Sequence, residues 1–325
     1  MSAPRRVSRV RESLGMKAVR VENGQPTLAT VNSPTGEGVL INVASASICG
    51  SDFHLMKMGA VEGRIIGHEF AGTTPDGTAV AIEPTIGCGA CHSCIDGERR
   101  DCNGAKSFMG IKIDGGMAEQ VMVDPSLLVA LPSGLDVGIA ALIEPLAVAA
   151  HVVRRVNPEQ GERVAVIGAG PIGLATIAIL RDRGVKPFVF ARHDHQKMAG
   201  EALGARLDGD DGFDVIFDAV GTTASIAEGV KRVKYQGRIG LAGTLWEPAT
   251  IGMALWSKEV SIIPAAGYSG VAPNRDFDLA ARVLAERPDI ADVMVTHRFP
   301  LDGAVEGFAT AADRATGAIK VLFEV

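Results

Sequence analysis

The stretch VAVIGAGPIGLATIAIL, from Val164 to Leu180, constrains the fold more than any other part of this chain. A short apolar strand runs into Gly168, Gly170 and Gly173, spaced G-x-G-x-x-G, and Pro171 and Ile172 then open a helix. Alone the spacing is weak, because a chain with 39 glycines produces some by chance. Its place between a strand and a helix makes it specific. Gly168 permits a tight turn, Gly170 lets backbone approach a pyrophosphate, and Gly173 lets the helix pack on the strand. The helix N-terminus then offers free N–H groups to phosphates.

The same rhythm continues downstream. Strands are expected at 163–167, 187–190, 214–217 and 238–241, with helices ending near Asp182 and spanning 194–203 and 224–233. Such alternation implies an α/β fold with a doubly wound parallel sheet. It places a dinucleotide-binding domain over residues 151–286. From Met16 to about Asp136, β-type runs such as Val39–Ser45 and Met117–Val123 are broken by Gly, Pro and Asp. The last forty residues return to that pattern. A β-rich domain is therefore expected from 16–150 and 287–325, after a disordered extension over residues 1–15.

Four of the five cysteines fall in CGACHSCIDGERRDC, Cys88 to Cys102. A disulfide staple and a redox pair compete with a metal site, but each uses only two thiols. Four thiolates (Cys88, Cys91, Cys94 and Cys102) around one ion match a closed, structural Zn²⁺ site. The fifth, Cys49, stands in ICGSDFH, and His68 and Glu69 follow in GHEFAG. Glu144 lies in the apolar run ALIEPLAVAAHVV, where a carboxylate is expensive unless paired or bound to metal. A helix N-cap ahead of Pro145 is the alternative for Glu144. Together Cys49, His68 and a carboxylate supply three ligands and leave a fourth position open, the form of a catalytic zinc site.

Composition excludes other classes. Hydrophobic residues make up 47% and charged residues 22% of 325, as in a folded globular chain. A net charge of −6 argues against a nucleic-acid partner. The longest apolar run, Gly138 to Val153, is interrupted by Glu144 and Pro145, so no membrane span is expected. The first residues are basic but lack the apolar core of a signal peptide. Few, clustered cysteines suit a reducing, cytoplasmic setting.

The chain resembles the zinc-dependent medium-chain alcohol and polyol dehydrogenases. The matching segments are CGSDFH (Cys49–His54), GHEFAG (Gly67–Gly72), the four-cysteine loop, GIKIDGGMAEQVMV (Gly110–Val123), IEPLAV (Ile143–Val148) and VIGAGPIG (Val166–Gly173). The resemblance implies a GroES-like catalytic domain, a Rossmann coenzyme domain and two zinc ions. It makes Cys49 and His68 catalytic-zinc ligands, with Glu69 or Glu144 reaching the metal directly and the other through water. Glutamate at 144 looks like the sorbitol, threonine and sugar dehydrogenase branch. Asp52 matches the carboxylate that orients His68, and Ser51 and His54 match a proton relay. The connection TTPDGTA, between Gly72 and Val80, is shorter than in the family. The resemblance also implies a small alcohol or ketone substrate and a homodimer or homotetramer.

An alcohol that loses hydride must also lose its hydroxyl proton, from a dry pocket to water. Ser51 both accepts and donates a proton, and His54 can receive it at the rim. Phe53, Phe108 and Met109 are candidates to line the substrate cleft. The coenzyme preference should be written in FVFARHDHQ, Phe188–Gln196. NAD-specific enzymes end this strand in Asp or Glu. Here that place falls on Ala191, followed by Arg192 and His193, with Lys197 nearby and Asp194 expected to cap the next helix. NADP⁺ is therefore expected over NAD⁺.

Overall fold

A computed structural model describes residues 15–207 and 209–325. The extension expected over residues 1–15 lies, apart from Gly15, outside the described residues. Two large sheets organise the rest.

The first sheet is wholly parallel, with strands in the order Phe188–Phe190, Val164–Ile167, Phe213–Asp218, Val233–Leu241 and Ser261–Pro264. Its central strands are buried on both faces, as their unbroken apolar runs require. One face packs Val164, Val166 and Phe217 against the helices Ile143–Val156, Pro171–Asp182 and Asp276–Glu286. The other packs Ala165, Ile167 and Ile216 against Ile226 and Val230 of the helix Thr223–Arg232. The strand expected at 238–241 begins earlier, at Val233, across a register shift opposite Phe213 and Val215.

The second sheet runs in the order Val295–Pro300, Lys320–Glu324, Val39–Ser47, Glu69–Thr73, Ala79–Ile82 and Leu128–Ala130. Gln120–Val123 pairs with the far end of Val39–Ser47. The strand expected from Met117 is therefore shorter. Gly115 and Gly116 turn there against the Gly67 backbone, and Met117 carbonyl instead accepts from Val19 N–H at 2.8 Å. The C-terminal strand lies parallel to Val295–Pro300 and antiparallel to Val39–Ser47. The last strand is thereby joined to the β-rich half.

The segment Val137–Val156, a 3₁₀ turn leading into the helix from Ile143, corrects one expectation. By length and composition alone it could cross a membrane, despite Glu144 and Pro145. In the fold it is mostly buried, packed between Ala71, Ala81 and Val129 of the second sheet and the helices Pro171–Asp182 and Asp276–Glu286. Glu144 is not the N-cap, which is Leu142, but sits in the first turn.

A buried polar bridge ties the cysteine loop to the half built on the parallel sheet. His151 Nδ1 donates to Asp276 at 2.9 Å, and its Nε2 accepts from Arg100 at 3.2 Å. Arg154 Nε and Ser269 N–H also donate to the Asp276 carboxylate, at 3.0 Å and 2.8 Å. Arg100 continues to the Ala266 carbonyl at 2.6 Å. The buried His151 and Asp276 are both partnered, which is what makes a polar bridge tolerable in a core.

Candidate active site

Cys49 caps the short helix Gly50–Lys57, and its N–H donates to Asp52 Oδ2 at 3.0 Å. One oxygen of the buried Asp52 is thus spent on the helix start. The other, Oδ1, lies 3.5 Å from His68 Nδ1, and neither atom has a hydrogen-bond partner among the described residues. The imidazole is thereby turned with Nδ1 toward a carboxylate and Nε2 toward Ser51 Oγ, at 3.5 Å. This is the orientation a metal-ligating histidine takes when a carboxylate holds its other nitrogen. Ligand atoms of Cys49, His68 and Glu69 all lie within 4.8 Å of one another.

Register explains the third member. Ser47 pairs with Glu69 on one side and Leu322 on the other, so Glu69 and Lys320 meet at one end of the sheet. Lys320 Nζ donates to both Glu69 oxygens, at 2.9 Å and 2.7 Å, and to the Ile48 carbonyl at 3.0 Å. Ser47 Oγ donates to Glu69 as well. Glu144 lies outside the group of three, yet shares its field. Burial first, and then the charge of Glu69, pushes the Glu144 carboxyl up to about 7, with His68 and Lys320 acting the other way.

Four groups able to carry negative charge (Cys49, Asp52, Glu69 and Glu144) therefore face the buried Lys320. Burial would lower the His68 imidazole, but Cys49, Asp52 and Glu144 outweigh it and draw it well above 6.5. A pocket so short of positive charge, with sulfur, nitrogen and oxygen donors converging, fits a divalent cation such as zinc.

The four-cysteine loop fits a second ion. All four sulfurs lie within 4.8 Å of one another, with Cys88–Cys94 at 4.0 Å and Cys91–Cys102 at 3.8 Å. A tetrahedron with bonds of about 2.3 Å has edges of about 3.8 Å, whereas a disulfide is about 2.0 Å. Backbone N–H groups of Cys88 and Gly104 donate to Cys102 sulfur at 3.3 Å, which suits thiolates. Backbone N–H groups of Cys94 and Asn103 bring the Cys91 thiol down to about 6.

The glycine turn is equally specific. Gly168 has φ +90, and a Cβ on Gly173 would sit 1.9 Å from the Gly168 carbonyl oxygen. A Cβ on Gly170 would meet nothing within 4 Å, so that residue faces open space at the start of the helix Pro171–Asp182. Pro171 and Ile172 form its first turn. These features fit a pyrophosphate. Ala191 follows the strand Phe188–Phe190 directly, and Arg192 beside it is exposed. Asp194 is not the expected cap. His193 takes that position, and Asp194 opens the helix Asp194–Ala202 and holds Lys197 at 2.9 Å. Lys197 is thus engaged by a carboxylate.

His54 is exposed and stacks on Trp246, with centroids 4.4 Å apart and planes 3° from parallel. Phe108 packs edge-on against His68, at 5.7 Å between centroids. The other two residues expected to line the cleft belong to the core: Phe53 packs on Phe308, and Met109 is buried. Sequence reasoning missed Ser47, Trp246 and Lys320. A signal existed for Lys320 alone, as a lysine inside the apolar strand KVLFE.

Comparison with known proteins agrees with this architecture. The Alcohol dehydrogenase GroES-like domain family matches residues 35–133. L-galactonate-5-dehydrogenase of Escherichia coli (strain K12) is 31% identical, over 86% of this chain and 87% of its own. L-arabinitol 4-dehydrogenase of Aureobasidium melanogenum is 29% identical, over 93% of this chain and 92% of its own. A structure from Sinorhizobium meliloti 1021, described as a zinc-binding dehydrogenase bound to NADP, superposes with a TM-score of 0.83. It is 27% identical and covers 96% of this chain and 99% of its own. With a GroES-like half, a parallel coenzyme sheet and relatives of this similarity, the chain belongs to the zinc-type medium-chain polyol dehydrogenase family.

Proposed function

We propose that this protein is a zinc-dependent, nicotinamide-linked dehydrogenase. It oxidises a secondary alcohol of the polyol or sugar-acid kind, or reduces the matching ketone. The observation that carries the reading is the convergence of Cys49, His68 and Glu69 in a buried pocket with too little positive charge. The relatives named for L-galactonate and L-arabinitol support that substrate class.

Cys49 and His68 would hold the catalytic zinc, with Glu69 the nearer carboxylate and Glu144 across the pocket. A bound zinc ion supplies Lewis acidity at the alcohol oxygen. The residues do the rest. Asp52 fixes the His68 ring, and Lys320 holds both oxygens of Glu69 in a dry site. Ser51 takes the hydroxyl proton and passes it outward, and His54 releases it to water at the rim. Gly168, Gly170 and Gly173 seat the coenzyme pyrophosphate, and Arg192 favours a 2′-phosphate, hence NADP⁺ over NAD⁺.

The four-cysteine loop would hold a structural zinc, giving two ions per chain. Five free cysteines suit a reducing compartment such as the cytoplasm. The family's habit of forming homodimers or homotetramers is carried over in the same spirit. A screen of polyols, sugar acids and simple secondary alcohols, with each coenzyme and followed by nicotinamide absorbance, tests the reading. Turnover of none of them by zinc-replete protein would refute it.

A further inference from the structure

Trp246 lies in the loop between the strand Val233–Leu241 and the helix Met253–Ser257, on the coenzyme half. Its partner His54 projects from the helix Gly50–Lys57 on the other half. The loop is pinned at both ends. Gly243 N–H donates to the Asp218 carbonyl at 2.9 Å, and a Cβ there would meet Gly221 N at 2.4 Å, so only glycine permits the approach. The buried Asp218 carboxylate in turn holds Val220 and Gly221 N–H and Ser225 Oγ. At the far end, Thr250 N–H donates to Thr223 Oγ1 at 3.1 Å. Between these anchors the half-buried indole is presented from a fixed base. The exposed imidazole that lies flat on it would otherwise sample several rotamers.

We propose that Trp246 is a positioning residue for the proton path, acting through His54. The proposal rests on the dehydrogenase reading above. The indole limits His54 to one orientation at the cleft mouth and joins the two halves of the molecule there. A cation over an indole face is attracted by the ring quadrupole, so the contact strengthens when His54 has accepted the proton. The proton balance is simple: what leaves the alcohol through Ser51 arrives on His54 and is given to water. Along the chain the ionisable groups within three residues of the stacked pair are Lys57 and Glu247, both exposed, and the buried Asp52.

Two measurements on zinc-replete protein test this. Trp246→Ala should lower kcat about two- to fivefold, the factor an exposed cation–π contact is worth, with KM for the alcohol little changed. Trp246→Phe should recover most of it, and Trp246→Ala should cost nothing further in a His54→Gln background. Additive losses, or an unchanged kcat, would overturn the proposal. Independently of turnover, the protein has two tryptophans, and Trp256 is removed as Trp256→Phe. At constant pH the remaining Trp246 emission should change in intensity when His54→Gln removes the stacked imidazole. Emission identical with and without His54→Gln overturns the stack even if turnover is normal. Wild-type protein with no turnover, but with that emission change on His54→Gln, would instead overturn the dehydrogenase reading.

Discussion

Lys320 Nζ lies 2.7 Å and 2.9 Å from the two carboxylate oxygens of Glu69, with both side chains almost fully buried, although 251 residues separate them. Burial acts to lower the Lys320 pKa, but Glu69 and Cys49 outweigh it and hold it above 10.5. Removing one partner of a buried pair leaves the other uncompensated, at a cost of about 3–5 kcal/mol. Lys320→Met should therefore destabilise strongly in urea unfolding, while Lys320→Met/Glu69→Gln regains stability without regaining turnover. A raised lysine pKa stabilises below its unfolded value, so the effect should hold at neutral pH and fade only as pH rises through the folded value. An unchanged unfolding midpoint for Lys320→Met would contradict the pairing.

Metal content divides the two cysteine sites. Elemental analysis should find two zinc ions per folded chain. Cys49→Ser should lose one ion and all turnover while keeping the fold. Cys94→Ser should lose the other and chiefly loosen the loop, because a structural zinc contributes to folding directly. One ion or none in intact wild-type protein would count against the assignment.

The proton path makes a graded forecast. Ser51→Ala should cut turnover by roughly 10²–10⁴, the usual contribution of general acid–base help. Ser51→Thr retains a hydroxyl and should keep much of the rate. His54 sits at the rim where water can replace it, so His54→Ala should cost less than Ser51→Ala. Steady-state kcat for the three variants checks the order, and normal turnover by Ser51→Ala would remove the relay.

Coenzyme choice should follow the strand end at Ala191. No carboxylate there repels a 2′-phosphate, and the exposed Arg192 can pair with one. A charged hydrogen bond worth about 1.5–3 kcal/mol predicts a roughly tenfold to hundredfold preference for NADP⁺. Arg192→Ala should erase most of it, and Ala191→Asp should turn it toward NAD⁺. Because Asp194 already holds Lys197, Lys197→Ala should matter far less. Comparing kcat/KM for the two coenzymes decides, and a wild type that favours NAD⁺ would reverse the reading.

The Asp276 bridge gives a pH signature away from the metal sites. Burial raises its carboxyl, but His151, Arg154 and the Ser269 N–H outweigh that and hold it below 3.8. A depressed carboxylate pKa stabilises above the unfolded value of about 3.9 and is lost as pH falls through the folded value. Asp276→Asn should therefore cost about 1.5–3 kcal/mol near pH 7, and its gap from wild type should close below about pH 4. Urea midpoints across that range test it. A gap independent of pH would mean that the carboxylate charge contributes nothing.

Features held within a few consecutive residues were legible from the chain alone. The glycine turn at Gly168–Gly173 needs only local backbone freedom, and the four cysteines need only one loop to close round an ion. Alternating strands and helices over 163–241 likewise announce a parallel sheet, because burial on two faces writes unbroken apolar runs. Their ends shifted by a few residues, and Met117 left its expected strand, because the close approach of Gly115 and Gly116 to Gly67 is a tertiary event.

Cys49, His68, Glu69 and Glu144 could be named from sequence as chemistry without an arrangement. Only sheet register brought Ser47, Glu69 and Lys320 to one end of adjacent strands, and set Glu69 rather than Glu144 beside Cys49 and His68. No spacing along the chain encodes a pairing 251 residues apart. The same holds for Trp246 over His54, which depends on a loop from one half reaching a helix of the other. Local physics decides which residues can do chemistry in this protein. The long-range pairing of strands, which buries their charges together, decides which of them meet.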